Sequence, residues 1–320
     1  MHIDLNNCAL YRGVTQCLPG GDGLPRLSRM SAKLAELYNY NEAAAIRAAC
    51  ATGVRLLFET DATMLELRWR SLRMAREVHG CDIEVAGEPM LTLLLDENDD
   101  NACLQLQLPG KGMRRVTIYL PHLRELQLES LRLNDGASFK TIKENRARLL
   151  LSGDSILQGM TTSSPAKAYG TVLANALNMD YLNIAVGGAV MNGAVARAAA
   201  ELDWDLALLA FGVNDCSQQI GLHREKKEAE ASLQALCAGG RQVLLFTPLP
   251  WPGEGDKNLQ EYIDCQIEVA ERFPGVMILQ GYEALSIAQE NFIDSCHPND
   301  LGNRKIAEYL IAKLKPLFGS

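Results

Sequence analysis

Leu149-Leu150-Leu151-Ser152-Gly153-Asp154-Ser155 is an apolar run that stops at a small polar corner and continues as Ile156-Leu157-Gln158-Gly159. It reads as a buried parallel strand that delivers one serine onto the loop beyond its carboxyl end. Open α/β sheets place their sites in the crevice outside the carboxyl ends of the strands, so a nucleophile is useful there. Taken alone, Gly-Asp-Ser is also an ordinary turn followed by a helix cap. Three further stretches, in a fixed order, complete the same chemistry.

Working outward from this strand, apolar segments at 147–151, 181–185, 206–211, 242–246 and 276–279 alternate with helical patterns near 165–178, 190–201, 224–237, 258–272 and 299–315. Uninterrupted apolar strands alternating with helices predict a parallel sheet covered on both faces. Upstream the rhythm differs. Met64-Leu65-Glu66-Leu67-Arg68-Trp69-Arg70 alternates, which fits a strand buried on one face. Similar runs at 53–60, 81–86, 90–95, 102–108, 115–120 and 125–133 are separated by turn formers such as Gly87-Glu88-Pro89 and Asn98-Asp99-Asp100-Asn101. This spacing predicts an antiparallel, jelly-roll-like β-sandwich over 1–140. Ala43-Ala44-Ala45-Ile46-Arg47-Ala48-Ala49 is helical by propensity, and the polar stretch 138–146 reads as the connector to an α/β domain over 141–320.

A chain of 320 residues exceeds what one core usually supports, and 48% hydrophobic with 22% charged residues supplies two ordinary globular cores. The formal charge of -8 argues against a nucleic-acid or anionic-membrane partner. The first eight residues do not have the pattern of a signal peptide, and no stretch approaches the roughly 20 apolar residues of a membrane span. Nine cysteines without a Cys-x-x-Cys pair suggest neither a disulfide framework nor a zinc site, so a reducing cytoplasm is the simpler expectation, with a processed secreted form left open. No sequence feature demands a homo-oligomer, although a sandwich packed on a neighbouring subunit would make one.

The informative residues of the second domain follow its strands. Asn183-Ile184-Ala185-Val186-Gly187-Gly188-Ala189 ends in glycines that let a backbone amide approach a ligand. Gly212-Val213-Asn214-Asp215 offers a neutral amide donor. In Asp294-Ser295-Cys296-His297-Pro298, an aspartate precedes a histidine by three residues, so one turn of chain can bring its carboxylate to the imidazole Nδ1.

These blocks resemble the four signature blocks of the SGNH (GDSL-type) hydrolase superfamily, with Gly-Asp-Ser-Ile standing where Gly-Asp-Ser-Leu is usual. The resemblance covers the chain from about Arg148 onward and implies a flavodoxin-like, three-layer α/β/α fold. It matches Ser155 to the nucleophile, Asp294 and His297 to the acid and base, and Gly188 and Asn214 to the glycine and asparagine of the second and third blocks. His297 would take the Ser155 proton, and Asp294 would hold the ring and stabilise its imidazolium. The backbone amides of Ser155 and Gly188 and the side chain of Asn214 would bind the oxyanion, and no cofactor enters. The upstream region, with fragments such as Thr117-Ile118-Tyr119-Leu120-Pro121, resembles the β-sandwich that precedes this domain in one branch, including some carbohydrate acetylesterases.

The function implied is a serine esterase for short acyl, foremost acetyl, esters of a carbohydrate or other small molecule. An acyltransferase would use the same groups, and a carbohydrate-binding protein with a vestigial hydrolase domain is the alternative from another class. Asp154 and Asp215 read as turn or helix-start carboxylates, and Cys296 as a bystander because adjacent side chains point apart. His2, His79, His122 and His223 lack metal-ligand spacing and read as surface or locally hydrogen-bonded.

Overall fold

The structure is a computed structural model that describes residues 1–20, 22–96, 100–255 and 257–318. Its chain forms two compact units. One comprises Met1–Ser31, Ala49–Asn145 and Ser163–Ala166; the other comprises Ala32–Ala48, Arg146–Thr162 and the chain from Lys167 onward.

In the first unit all strand pairing is antiparallel among the described residues. A four-stranded sheet orders the strands His2–Ile3, Arg124–Leu133, Met64–Met74 and Asn101–Gln107. A second sheet orders Phe139–Thr141, Arg55–Thr60, Arg114–Tyr119, Gly80–Val85 and Glu88–Leu94, with Tyr11–Arg12 also paired to Arg55–Thr60. The alternation read in Met64–Met74 is the burial pattern found: Leu65, Leu67 and Trp69 are buried while Arg68 and Arg70 are exposed. Trp69 and Leu67 from one sheet share a core with Phe58 and Ile118 from the other, as a sandwich requires.

Several local expectations change. The turn at Gly87-Glu88-Pro89 lies one residue earlier, at Ala86-Gly87, where both residues have positive φ (57° and 85°), the backbone of a tight hairpin turn. Glu88 and Pro89 are already in strand. The turn at Asn98-Asp99-Asp100-Asn101 falls partly outside the described residues. The supposed connector begins with a strand, Phe139–Thr141, because its backbone completes the edge of Arg55–Thr60. His79 and His122 are buried, and the indole of Trp69 donates to His79 Nε2 at 3.3 Å.

The second unit is built on five parallel strands. In chain order they are Arg148–Gly153, Asp180–Asn183, Leu206–Ala210, Gln242–Phe246 and Val276–Leu279, and in the sheet they lie in the order second, first, third, fourth, fifth. Leu149, Leu150 and Leu151 are all fully buried, so both faces of the first strand are covered. The helices of this unit are α1 (Ala32–Leu37), α2 (Glu42–Ala49), α3 (Ser155–Gln158), α4 (Tyr169–Ala176), α5 (Gly193–Ala200), α6 (Val213–Ser217), α7 (Leu222–Leu236), α8 (Leu259–Ala270), α9 (Gly281–Ala284) and α10 (Asp300–Phe318). This is the flavodoxin-like three-layer arrangement. Chain order reverses beside the first strand, and the crevice at such a reversal is where open sheets bind ligands.

One cut near residue 140 does not describe the division into units. Residues 32–48 belong with the α/β unit: α1 packs on α5, Leu34 is fully buried, and Lys33 Nζ lies 2.5 Å from Glu201 Oε1. The helical propensity of Ala43–Ala49 announces a helix but not the unit to which it belongs.

Candidate active site

The first strand ends at Gly153, and Asp154 then caps α3 by accepting the amide N–H of Ile156 at 2.9 Å. The cap fixes the start of a one-turn helix whose first residue is Ser155. The N–H of a first helical residue has no intrahelical acceptor, and that of Ser155 meets none elsewhere among the described residues. Burial pushes the Asp154 carboxyl up to about 7, opposed by the Ile156 amide.

The His297 loop is held from several sides. Thr161 Oγ1 and Asn303 Nδ2 donate to the carbonyl of Pro298 at 2.8 and 3.1 Å, and the amide of Ile293 donates to the carbonyl of His297 at 3.0 Å. The ring is thereby presented to the serine. His297 Nε2 lies 2.9 Å from Ser155 Oγ, and His297 Nδ1 lies 2.9 Å from Asp294 Oδ2. Asp294 Oδ1 also accepts the amides of Cys296 and His297 at 2.8 and 2.7 Å. Burial pushes the Asp294 carboxyl up, but those two amides and the His297 ring outweigh it and leave it below the ordinary value. Serine, histidine and aspartate thus form one hydrogen-bonded chain, with Ser155 buried and Asp294 exposed.

The glycine loop is set by residues that sequence reasoning missed. Gln158 Oε1 accepts the amide of Gly187 at 2.7 Å, and Gln158 Nε2 donates to the carbonyl of Arg47 at 2.9 Å. Arg47 Nη1 in turn donates to the carbonyl of Gly187 at 2.9 Å. The amide of Gly187 is therefore occupied, whereas that of Gly188 has no acceptor among the described residues. Gly188 has φ +82°, and a Cβ there would lie 3.1 Å from Arg47 Nη1, so a side chain meets both backbone strain and a cation. Nothing in the sequence joined Arg47 to this loop, 140 positions away.

Asn214, in α6, donates through Nδ2 to the carbonyl of Ala189 at 3.1 Å and makes no hydrogen bond to Ser155. One of its two amide hydrogens is spent on the glycine loop and the other is left for a ligand. The next residue, Asp215, is fully buried and accepts the amide of Met191 at 2.9 Å, so α6 and the Gly188 loop are tied twice. Asp215 is also hydrogen-bonded to Glu225, whose carboxyl accepts from Gln266 at 2.7 Å, and burial raises both acids. Cys296 packs beside Trp251 and Val213, where burial pushes its thiol up to about 12 and keeps it from acting as a thiolate.

With strand order, loop geometry and the serine–histidine contact in place, the comparisons with known proteins are direct. Residues 151–305 match the GDSL-like lipase/acylhydrolase family. That match runs from the first strand of the α/β unit into α10. Residues 16–129 match the N-terminal domain of SsfX3. The fold of the whole chain is shared with the salicylyl-acyltransferase SsfX3 from a tetracycline biosynthetic pathway, at 23% identity and a TM-score of 0.88, covering 100% of this chain and 99% of that one. It is also shared with a family two carbohydrate esterase from Cellvibrio japonicus (15% identity, TM-score 0.70, covering 99% and 98%). The acetyl xylan esterase Est2A from the rumen bacterium Butyrivibrio proteoclasticus is similar too (15% identity, TM-score 0.65, covering 99% and 98%). No curated protein matches the chain. Among the described residues, no helix is long and apolar enough to cross a membrane.

Proposed function

We propose that the protein is a serine esterase that cleaves esters of small molecules through an acyl-serine intermediate. The observation that carries this reading is the 2.9 Å contact between Ser155 Oγ and His297 Nε2, backed by Asp294 on the other ring nitrogen. A serine hydroxyl needs an adjacent base, and a histidine whose Nδ1–H is fixed by a carboxylate has Nε2 free to accept the proton. Oγ attacks the ester carbon, the proton passes to Nε2, and the oxyanion is met by the amides of Ser155 and Gly188 and by the second hydrogen of Asn214. The imidazolium then protonates the leaving alcohol, and water repeats the sequence on the acyl-serine. Short acyl groups, acetyl foremost, on a carbohydrate or other small alcohol are the first substrates to test, in line with the carbohydrate esterases that share the fold.

An acyltransferase reading is favoured by one observation, the shared fold over the whole chain with an acyltransferase. It differs only in letting an alcohol rather than water reach the acyl-serine. Hydrolysis of p-nitrophenyl acetate and butyrate by the wild type, Ser155→Ala and His297→Ala tests the common step. Loss of several orders of magnitude in both folded variants is expected; retention of activity by Ser155→Ala would overturn the proposal. Product analysis with added sugar or phenolic alcohols then separates transfer from hydrolysis.

A further inference from the structure

Asp215 and Glu225 are two fully buried carboxyls in hydrogen-bond contact, and the acyl-serine mechanism uses neither. Asp215 Oδ1 accepts the amide of Met191 at 2.9 Å, and Glu225 Oε1 accepts from Gln266 Nε2 at 2.7 Å. The remaining oxygens, Asp215 Oδ2 and Glu225 Oε2, meet no donor among the described residues. An ionised carboxyl only accepts, so two carboxylates cannot bond to each other. One proton between them satisfies both oxygens and removes the repulsion of like charges in the interior. Burial raises both acids, which keeps that proton in place at neutral pH. The titratable groups near enough to act on the pair are Arg224 and Glu228 on α7, Tyr262 and Cys265 on α8, Cys216 on α6, and Asp154 beside Ser155. Arg224 is the one cation of these and is exposed, so it does not replace the proton.

We infer that Asp215 and Glu225 are positioning residues of the oxyanion site, their shared proton latching α6, and with it Asn214 and the Gly188 loop, onto α7. The inference rests on the acyl-serine reading above and deepens it. Asp215 follows Asn214 directly, and α6 has only five residues, so few backbone hydrogen bonds of its own fix its place. Its side-chain ties converge on the loop that carries Gly188: Asn214 Nδ2 donates to Ala189 O at 3.1 Å, and Asp215 Oδ1 accepts from Met191 N. Glu225 stands on α7, a helix of 15 residues that packs against α5 and α8. The pair is therefore where a short element bearing a proposed oxyanion donor is anchored to a long one. Loss of the proton leaves two like charges in contact. The short helix is the part that yields, and its displacement reaches Asn214 and the Met191 tie together. Removing one oxyanion donor costs about 100- to 1000-fold in rate, so even partial misplacement is visible in kcat.

The test is the pH profile of p-nitrophenyl acetate hydrolysis, with the spontaneous rate subtracted, for the wild type, Glu225→Gln and Glu225→Ala, each checked for folding by circular dichroism. At pH 7 Glu225→Ala is expected to lose about tenfold in kcat with KM nearly constant. Glu225→Gln, whose amide donates to Asp215 at every pH, is expected to recover that loss. Wild-type kcat is expected to fall at the alkaline end as the pair gives up its proton, and Glu225→Gln is expected not to show this fall. Equal kcat in folded Glu225→Ala and wild type, or an alkaline fall of equal size in wild type and Glu225→Gln, overturns the latch. The side-chain carbonyl carbon of Asn214, observed by NMR in asparagine-labelled protein and assigned by its loss in Asn214→Ser, gives a readout independent of turnover. Its signal is expected to move between pH 7 and 9.5 in the wild type and to stay fixed in Glu225→Gln. A signal that stays fixed in the wild type, or that moves equally in both, refutes the latch. If the wild type hydrolyses no ester, the esterase reading fails, and the NMR result alone decides whether the pair holds Asn214.

Discussion

Asp294 holds His297 by both backbone and ring: its Oδ1 accepts the histidine amide at 2.7 Å while its Oδ2 lies 2.9 Å from Nδ1. Position and tautomer of the imidazole are thus set by one side chain. Asp294→Asn keeps an acceptor for the amide but presents the ring with a neutral partner. Activity on p-nitrophenyl acetate should fall by about 100-fold or more with little change in melting temperature. Asp294→Ala should lose the backbone anchor as well and melt lower. Equal activity of Asp294→Asn and wild type would remove the carboxylate from the mechanism.

Gly188 should not tolerate a side chain. Gly188→Ala places a Cβ in a backbone with φ +82° and 3.1 Å from Arg47 Nη1. The strain is about 1–2 kcal/mol, enough to shift the amide that the proposed mechanism aims at the oxyanion. A fall in kcat of about 100-fold, with KM nearly constant, is expected from steady-state kinetics.

Gln158 supports the same loop from below. Replacing it by alanine strips a buried partner from the Gly187 amide and from the Arg47 carbonyl at once. An unsatisfied buried group costs about 1–3 kcal/mol. Gln158→Ala should lower the urea midpoint and kcat together, and Gln158→Glu should restore neither fully because it cannot donate to Arg47.

Asp154 makes stability depend on pH. Its carboxyl is raised by burial to about 7, above its unfolded value near 4, so the folded state binds the extra proton between these pH values. The stabilisation is complete below about 4 and is lost as pH rises through about 7. Asp154→Asn keeps a capping oxygen for Ile156 and removes the charge. The difference in melting temperature between variant and wild type should grow in the variant's favour from pH 4 to 7 and then level off.

Glu225 and Asp215 are neighbouring buried carboxyls that burial raises together, and Asp215 also accepts from Met191 N at 2.9 Å. Glu225→Gln preserves a donor and should be nearly neutral in thermal unfolding at pH 7. Glu225→Ala leaves Asp215 and Gln266 without that partner, and a melting temperature several degrees lower is expected.

Most of the hydrogen-bonded chain of Ser155, His297 and Asp294 was legible in the sequence because its information is local. The run Leu149 to Leu151 reads as a strand covered on both faces, and Asp294 and His297 are three residues apart, close enough for one turn of backbone to join them. Ser155 follows its strand directly, and the shared sheet then places it at the reversal of strand order. Patterning together with the family resemblance therefore pointed to an antiparallel region followed by a parallel α/β region, to the serine beyond the first strand and to the histidine–aspartate pair.

What only the tertiary structure decided depends on packing between segments far apart in the chain. The alanine-rich helix ending at Ala49 has no local signal for its partner, yet Arg47 and Gln158 lock the Gly187–Gly188 turn. The side chain of Asn214 was legible as a donor, but its hydrogen bond to Ala189 O exists only once two loops converge. Periodicity and short spacings specify which face of an element is buried; they carry no term for which distant element covers it, and that choice is made by the shape and hydrogen bonding of the assembled core.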